Sequence, residues 1–153
     1  MSLDRWAFVR ALAGVSIATI LAVGLSGAAA AAVQVQNAWS RPAPAGATGV
    51  GFMLLTNPGG PADTLVTVTS PVSRAVEIHR SSLTGGMAMM ERLARVPAPA
   101  DATVAFAPGG YHLMFLSLDR ALKVGDRFTA TLGFANGARL KVRFVVTLSA
   151  PSS

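Results

Sequence analysis

From Val33 onward the chain is a succession of short apolar or alternating stretches, each closed by glycine, proline, asparagine or aspartate. Such punctuation leaves no room for a long amphipathic helix, and no 3.6-residue apolar period can be found there. The stretches are 33–39, 48–56, 63–70, 74–81, 87–93, 103–106, 111–118, 127–134 and 139–148. Between them lie turn-forming segments: Asn57-Pro-Gly-Gly-Pro61, Gly85-Gly86, a loop over 97–101, Pro108-Gly-Gly110, 123–126 and Asn136-Gly137. Strands at this spacing predict an all-β sandwich or barrel, closed by a hairpin over the Asn-Gly dipeptide.

Residues 1–32 follow a different rule. Arg5 and Arg10 precede an apolar run from Ala11 to Leu25, and small residues follow to Ala32. A positive end, a short apolar run and Ala-x-Ala options predict a secretory signal peptide, on a run short for a membrane span, which needs roughly 20 residues. The folded domain is then expected over 33–150, in the periplasm. Export permits disulfides, yet this chain has no cysteine. That excludes zinc ribbons, Cys-x-x-Cys redox chemistry and a blue-copper centre, and it offers no thiol for a lipid anchor.

The net charge of +6 is carried by scattered arginines and lysines with no dense basic run, so nucleic acid is not an expected partner. The carboxylates are few and no Ser-His-Asp trio is plausibly spaced, so an enzyme is not expected.

The chain holds two histidines, His79 and His112, and four of its methionines lie at Met87, Met89, Met90 and Met114. If the hairpin turn is centred between Thr84 and Gly85, His79 lies directly opposite Met90, within about 4.5–5.5 Å between Cβ atoms. That register gives Val76, Ile78, Met87, Met89 and Leu93 to the core face, with Met87 and Met89 as core filler. Glu77, His79, Ser81, Met90 and Arg92 go to the polar face. His112 and Met114 are two apart on one predicted strand and so share a face, with His112 near an accessible strand end. Two imidazoles and two thioethers, without a carboxylate, make a soft, neutral donor set that suits Cu(I) rather than Zn, Mg or Ca.

The spacing His79, ten residues, Met90, twenty-one residues, His112-x-Met114 resembles the signature of the PCu(A)C family of periplasmic copper chaperones. Trp39-Ser-Arg-Pro-Ala-Pro, Gly51-Phe-Met-Leu-Leu-Thr-Asn-Pro, Glu77-Ile-His and Pro108-Gly-Gly-Tyr-His-Leu-Met-Phe are similar to that family's blocks. The resemblance implies a cupredoxin-like Greek-key β-sandwich that binds one Cu(I) near the surface through His79, Met90, His112 and Met114. It implies delivery to a respiratory oxidase copper subunit or another periplasmic copper-assembly protein, with membrane contact only through that partner. Phe52, Met53 and Leu116 are expected to wall the ion from water. Two positions depart from the family: Arg80 and Ala88 stand where members often carry methionine. The tail 149–153 lacks the His/Met-rich sequence of members that also hold Cu(II). A copper buffer without a dedicated acceptor and a metal-free interaction module are the alternative readings.

Overall fold

The computed structural model describes residues 32–151; the expected signal peptide lies outside them but for Ala32. Among the described residues there are ten strands and no helix: β1 Gln34–Ser40, β2 Gly49–Thr56, β3 Asp63–Thr69, β4 Ser73–Thr84, β5 Met87–Leu93, β6 Val96–Ala98, β7 Thr103–Phe106, β8 Tyr111–Leu118, β9 Arg127–Phe134 and β10 Arg139–Val146. The all-β expectation holds, and nine of the ten strands fall on stretches legible in the sequence. β6 is the addition, where a loop was expected. Pro97 sits inside it and would break a central ladder, but β6 pairs only with β3, at the edge of the sheet, where a missing N–H is harmless.

Hydrogen bonds join all ten strands in the order β5-β4-β8-β7-β2-β1-β10-β9-β3-β6, with β8 also bonded directly to β2. The order departs repeatedly from chain order, as Greek-key connections require. The sheet curls over on itself. Phe115 of β8 meets Phe128 of β9 and Phe144 of β10 edge-on, at ring-centroid distances of 5.1 and 5.7 Å. Alternation explains the layering. On β10, Val142, Phe144 and Val146 point inward while Arg139, Lys141 and Arg143 point out. Each fully buried Phe or Leu contributes about 1.5–3 kcal/mol, and Leu65, Leu113, Phe115, Leu132 and Phe144 are all completely buried.

Gly51 on β2 allows the tightest of these contacts. A Cβ there would stand 2.7 Å from Phe115 Cε2 and 3.1 Å from Phe144 Cε1. The absent side chain lets both rings lie against the β2 backbone, fixing β8 beside β2 and with it the outer face that β8 presents.

Candidate metal centre

β8 lies between β4 and β2, and its register sets the site. His112 pairs with His79, and Met114 pairs with Glu77 on one side and Val50 on the other. Directly opposed residues share a face, so these five side chains occupy the outer face while Leu113 and Phe115 fill the core. The two imidazole centroids are 5.9 Å apart. His112 and Met114 therefore share a face as the spacing predicts, and His79 joins them.

Met90 arrives by a different register from the one expected. The turn residues are Gly85 and Gly86, with φ of +58° and +80°, and Thr84 pairs with Met87. Two successive positive φ values are the requirement of a type I′ two-residue hairpin loop, which glycine meets without strain. The true centre lies one residue later than Thr84/Gly85, so every pairing shifts by two. His79 opposes Arg92, and Met90 opposes Ser81. A shift of two preserves the face, so Met90 remains beside His79 as a diagonal neighbour rather than a direct one.

Met87 and Met89 are not core filler. They are 68% and 53% exposed. The β4–β5 hairpin runs past the opposing layer, so its inward-facing positions beyond Ile78 and Leu93 meet no partner strand. Met90 is likewise 59% exposed, whereas His112, expected at an accessible strand end, is only 5% exposed. Flanking by β4 and the 107–110 turn covers it. Ala107-Pro-Gly-Gly110 has Pro108 second, Gly109 at φ +84° and a bond from Gly110 N to Ala107 O, the pattern of a type II turn.

Gly110 O ties this turn to the site. It accepts from the Ser81 backbone N–H at 3.0 Å and from His112 Nδ1 at 3.0 Å. With Nδ1 committed as a donor, Nε2 of His112 keeps the lone pair. His79 donates from Nε2 to Glu77 Oε2 at 2.9 Å, and its Nδ1 is buried without a partner. Met90, His112 and Met114 line one cavity of about 200 Å³ together with Arg41, Val50 and Phe52; His79 stands in the adjoining row. Among the described residues no group of three or more His, Cys, Asp or Glu is placed to hold a metal.

The cavity wall contains residues the sequence reading did not single out. A bulge on β1 between Gln36 and Trp39 holds Asn37 at φ +51°, a left-handed conformation that asparagine tolerates. The extra residue brings Trp39, rather than Ala38, opposite Phe52, with ring centroids 4.7 Å apart. The Arg41 guanidinium lies 5.7 Å over the Phe52 ring. Trp39 and Phe52 are buried yet stand apart from the main core cluster, forming a small apolar pad beside Met114. Phe52 thus lines the cavity, whereas Met53 points into the inner core. The Trp39-Ser-Arg-Pro and Gly51-Phe-Met blocks supply this pad, and the bulge that aims it has no signature beyond Asn37.

A family model described as "Putative lipoprotein LpqE-like" matches residues 33–146. "Putative lipoprotein Lxx21020" of Leifsonia xyli subsp. xyli is 31% identical over 143 residues, covering 84% of this chain and 85% of its own. The fold is similar to the solution structure of CuI-DR1885 from Deinococcus radiodurans, with a TM-score of 0.64 and 31% identity over 80% of this chain and 83% of that one. It is also similar in fold to the copper-bound PCuAC domain from PmoF2, with a TM-score of 0.62 and 24% identity over 78% of this chain and 93% of that one. The likeness to PCu(A)C proteins read from the sequence is borne out, and the chain belongs to the LpqE-like family, built on the PCuAC-type β-sandwich.

Proposed function

We propose that this protein is a periplasmic copper(I) carrier that binds one Cu(I) through His79, Met90, His112 and Met114 and passes it on for assembly of a respiratory oxidase copper site. The observation that carries the reading is the convergence of two imidazoles and two thioethers from β4, β5 and β8 on one outer face, three of them around a single cavity. The buried, unpartnered Nδ1 of His79 and the free Nε2 of His112 supply nitrogen lone pairs. Neutral thioethers select a soft monovalent ion over hard cations. The solved CuI-DR1885 and copper-bound PCuAC structures support copper as the cargo.

The chain's own residues divide the work. His112 and Met114 sit on a strand bonded on both sides and make the rigid half of the cradle. Met90, on the projecting hairpin, makes the yielding half. An acceptor approaching the exposed Met90 side can displace that thioether first. Phe52, under Trp39, keeps water from the opposite wall. Copper is a cargo here, so exchange of ligands, not bond chemistry, is the task.

The test is an X-ray absorption spectrum of the Cu(I)-loaded protein, expected to show both nitrogen and sulfur neighbours, followed by mixing with an apo oxidase copper domain. Copper movement to that domain supports the carrier reading. Retention of copper favours the buffer, and a quadruple alanine variant that binds Cu(I) as tightly as the parent removes the site altogether.

A further inference from the structure

We infer that the two imidazoles offer opposite nitrogens to the metal, Nδ1 from His79 and Nε2 from His112, and that Glu77 is the positioning residue that imposes the choice on His79. The ligation half of this inference rests on the copper reading above; the tautomer half does not.

Glu77 is held on three sides. It is the cross-strand partner of Met114, it accepts from His79 Nε2 at 2.9 Å through Oε2, and Arg92 Nε lies 3.3 Å from its Oε1. Arg92 is the β5 residue directly opposite His79, so both sides of β4 contribute to the clamp. The carboxylate side chain is 21% exposed and the His79 side chain 14%, which limits water's competition for the bond. A carboxylate only accepts hydrogen bonds. The proton of neutral His79 therefore resides on Nε2, and the lone pair resides on Nδ1, the atom left buried and without a partner.

His112 obeys the opposite instruction. A backbone carbonyl, Gly110 O, takes the Nδ1 proton at 3.0 Å and leaves Nε2 free. The two rings, with centroids 5.9 Å apart, are thus locked in different tautomers by different acceptors. Support of a ligating imidazole by a carboxylate also raises its basicity and offsets cationic charge at the metal. A site of two imidazoles and two thioethers has no negative ligand of its own, so Glu77 supplies the nearest compensation.

The experiment is long-range ¹H–¹⁵N correlation on the ¹⁵N-labelled protein. His79 and His112 are the chain's two histidines, so the imidazole region shows two rings. The apo protein is expected to carry its proton on Nε2 of His79 and on Nδ1 of His112. Added Cu(I) is expected to move the His79 Nδ1 and His112 Nε2 signals. Glu77→Ala should remove the His79 tautomer preference, leave His112 unchanged and weaken Cu(I) binding by about 10- to 100-fold. A wild-type apo spectrum with His79 protonated on Nδ1 overturns the assignment without need of any variant. So does an E77A protein with unchanged His79 tautomer and unchanged affinity. Failure of the wild type to bind Cu(I) defeats the copper reading alone, because the apo spectrum still decides what Glu77 does.

Discussion

Met90 and His112 enter the same cavity from opposite conditions of burial, and their removal should separate stability from copper binding. Met90 is more than half exposed on the hairpin. Met90→Ala leaves no cavity in the core, so its effect on unfolding free energy should stay within about 0.5 kcal/mol. Its effect on Cu(I) affinity should be at least tenfold, since loss of a group that merely supports a ligand already costs about 10- to 100-fold. His112 is buried and donates to Gly110 O. His112→Ala removes that donor, while Gly110 O keeps the Ser81 N–H, and should lower stability by about 0.5–1.5 kcal/mol through the lost hydrogen bond besides weakening copper binding. Denaturant unfolding of the apo proteins and competitive Cu(I) titration check the two axes separately. Equal stability loss in both variants would contradict the burial pattern.

At the scale of the hairpin, two glycines decide where Met90 goes. Gly85 and Gly86 both hold positive φ, a conformation that costs an alanine about 1–2 kcal/mol per residue. The double change Gly85→Ala, Gly86→Ala should therefore disturb the Ser81–Met90 pairing and weaken Cu(I) binding while the β9–β10 core stays folded. Cross-strand nuclear Overhauser contacts between Thr84 and Met87 report the loss directly. Met87→Ser with Met89→Ser should by contrast leave the midpoint of denaturant unfolding almost unmoved, because both side chains already face solvent; a large loss would mean that they are packed. These residues also mark what the sequence could convey. The face of His79 and Met90 was legible from strict alternation, which survives a register error of two. The register itself depends on which pair of residues in Thr84-Gly-Gly86 carries the positive φ values, and the letters favour Gly85-Gly86, because a β-branched Thr84 resists that conformation; a centre at Thr84/Gly85 leaves this preference out. The burial of Met87 and Met89 was misjudged because alternation tells which way a side chain points, not whether another layer stands there to receive it. The β8 half needed no such information: His112 and Met114 are two apart on a strand bonded on both sides, so spacing alone fixed their common face.

Across the whole molecule, the proposed ligands join parts of very different stability. β8 is bonded to β4 and β2 and backs onto the aromatic core through Phe115, whereas β5 is an edge strand bonded only to β4, exposed along its length save Leu93. Few buried contacts and solvent-facing backbone place β5 at the low end of opening free energies, far below β9 and β10. A single ion held by His79, Met90, His112 and Met114 would tie β5 to β8 across β4. Binding to the folded state alone stabilises it by about 2.7 kcal/mol when free ligand is a hundredfold above Kd, but the local consequence should be larger at the loosest member. Cu(I) should slow amide exchange most along Met87–Leu93, where local opening breaks the Met90 contact. Amides of β9 and β10, expected as core strands to exchange through global unfolding, should gain no more than the overall stabilisation. In Met90→Ala the residual ion can still bridge β4 and β8, so protection of those strands should partly persist while that of β5 vanishes. Hydrogen exchange of the apo and loaded forms, wild type and variant, gives four maps. Copper-dependent protection confined to β8 in the wild type would mean that the hairpin does not close on the ion, and would strike Met90 from the ligand set.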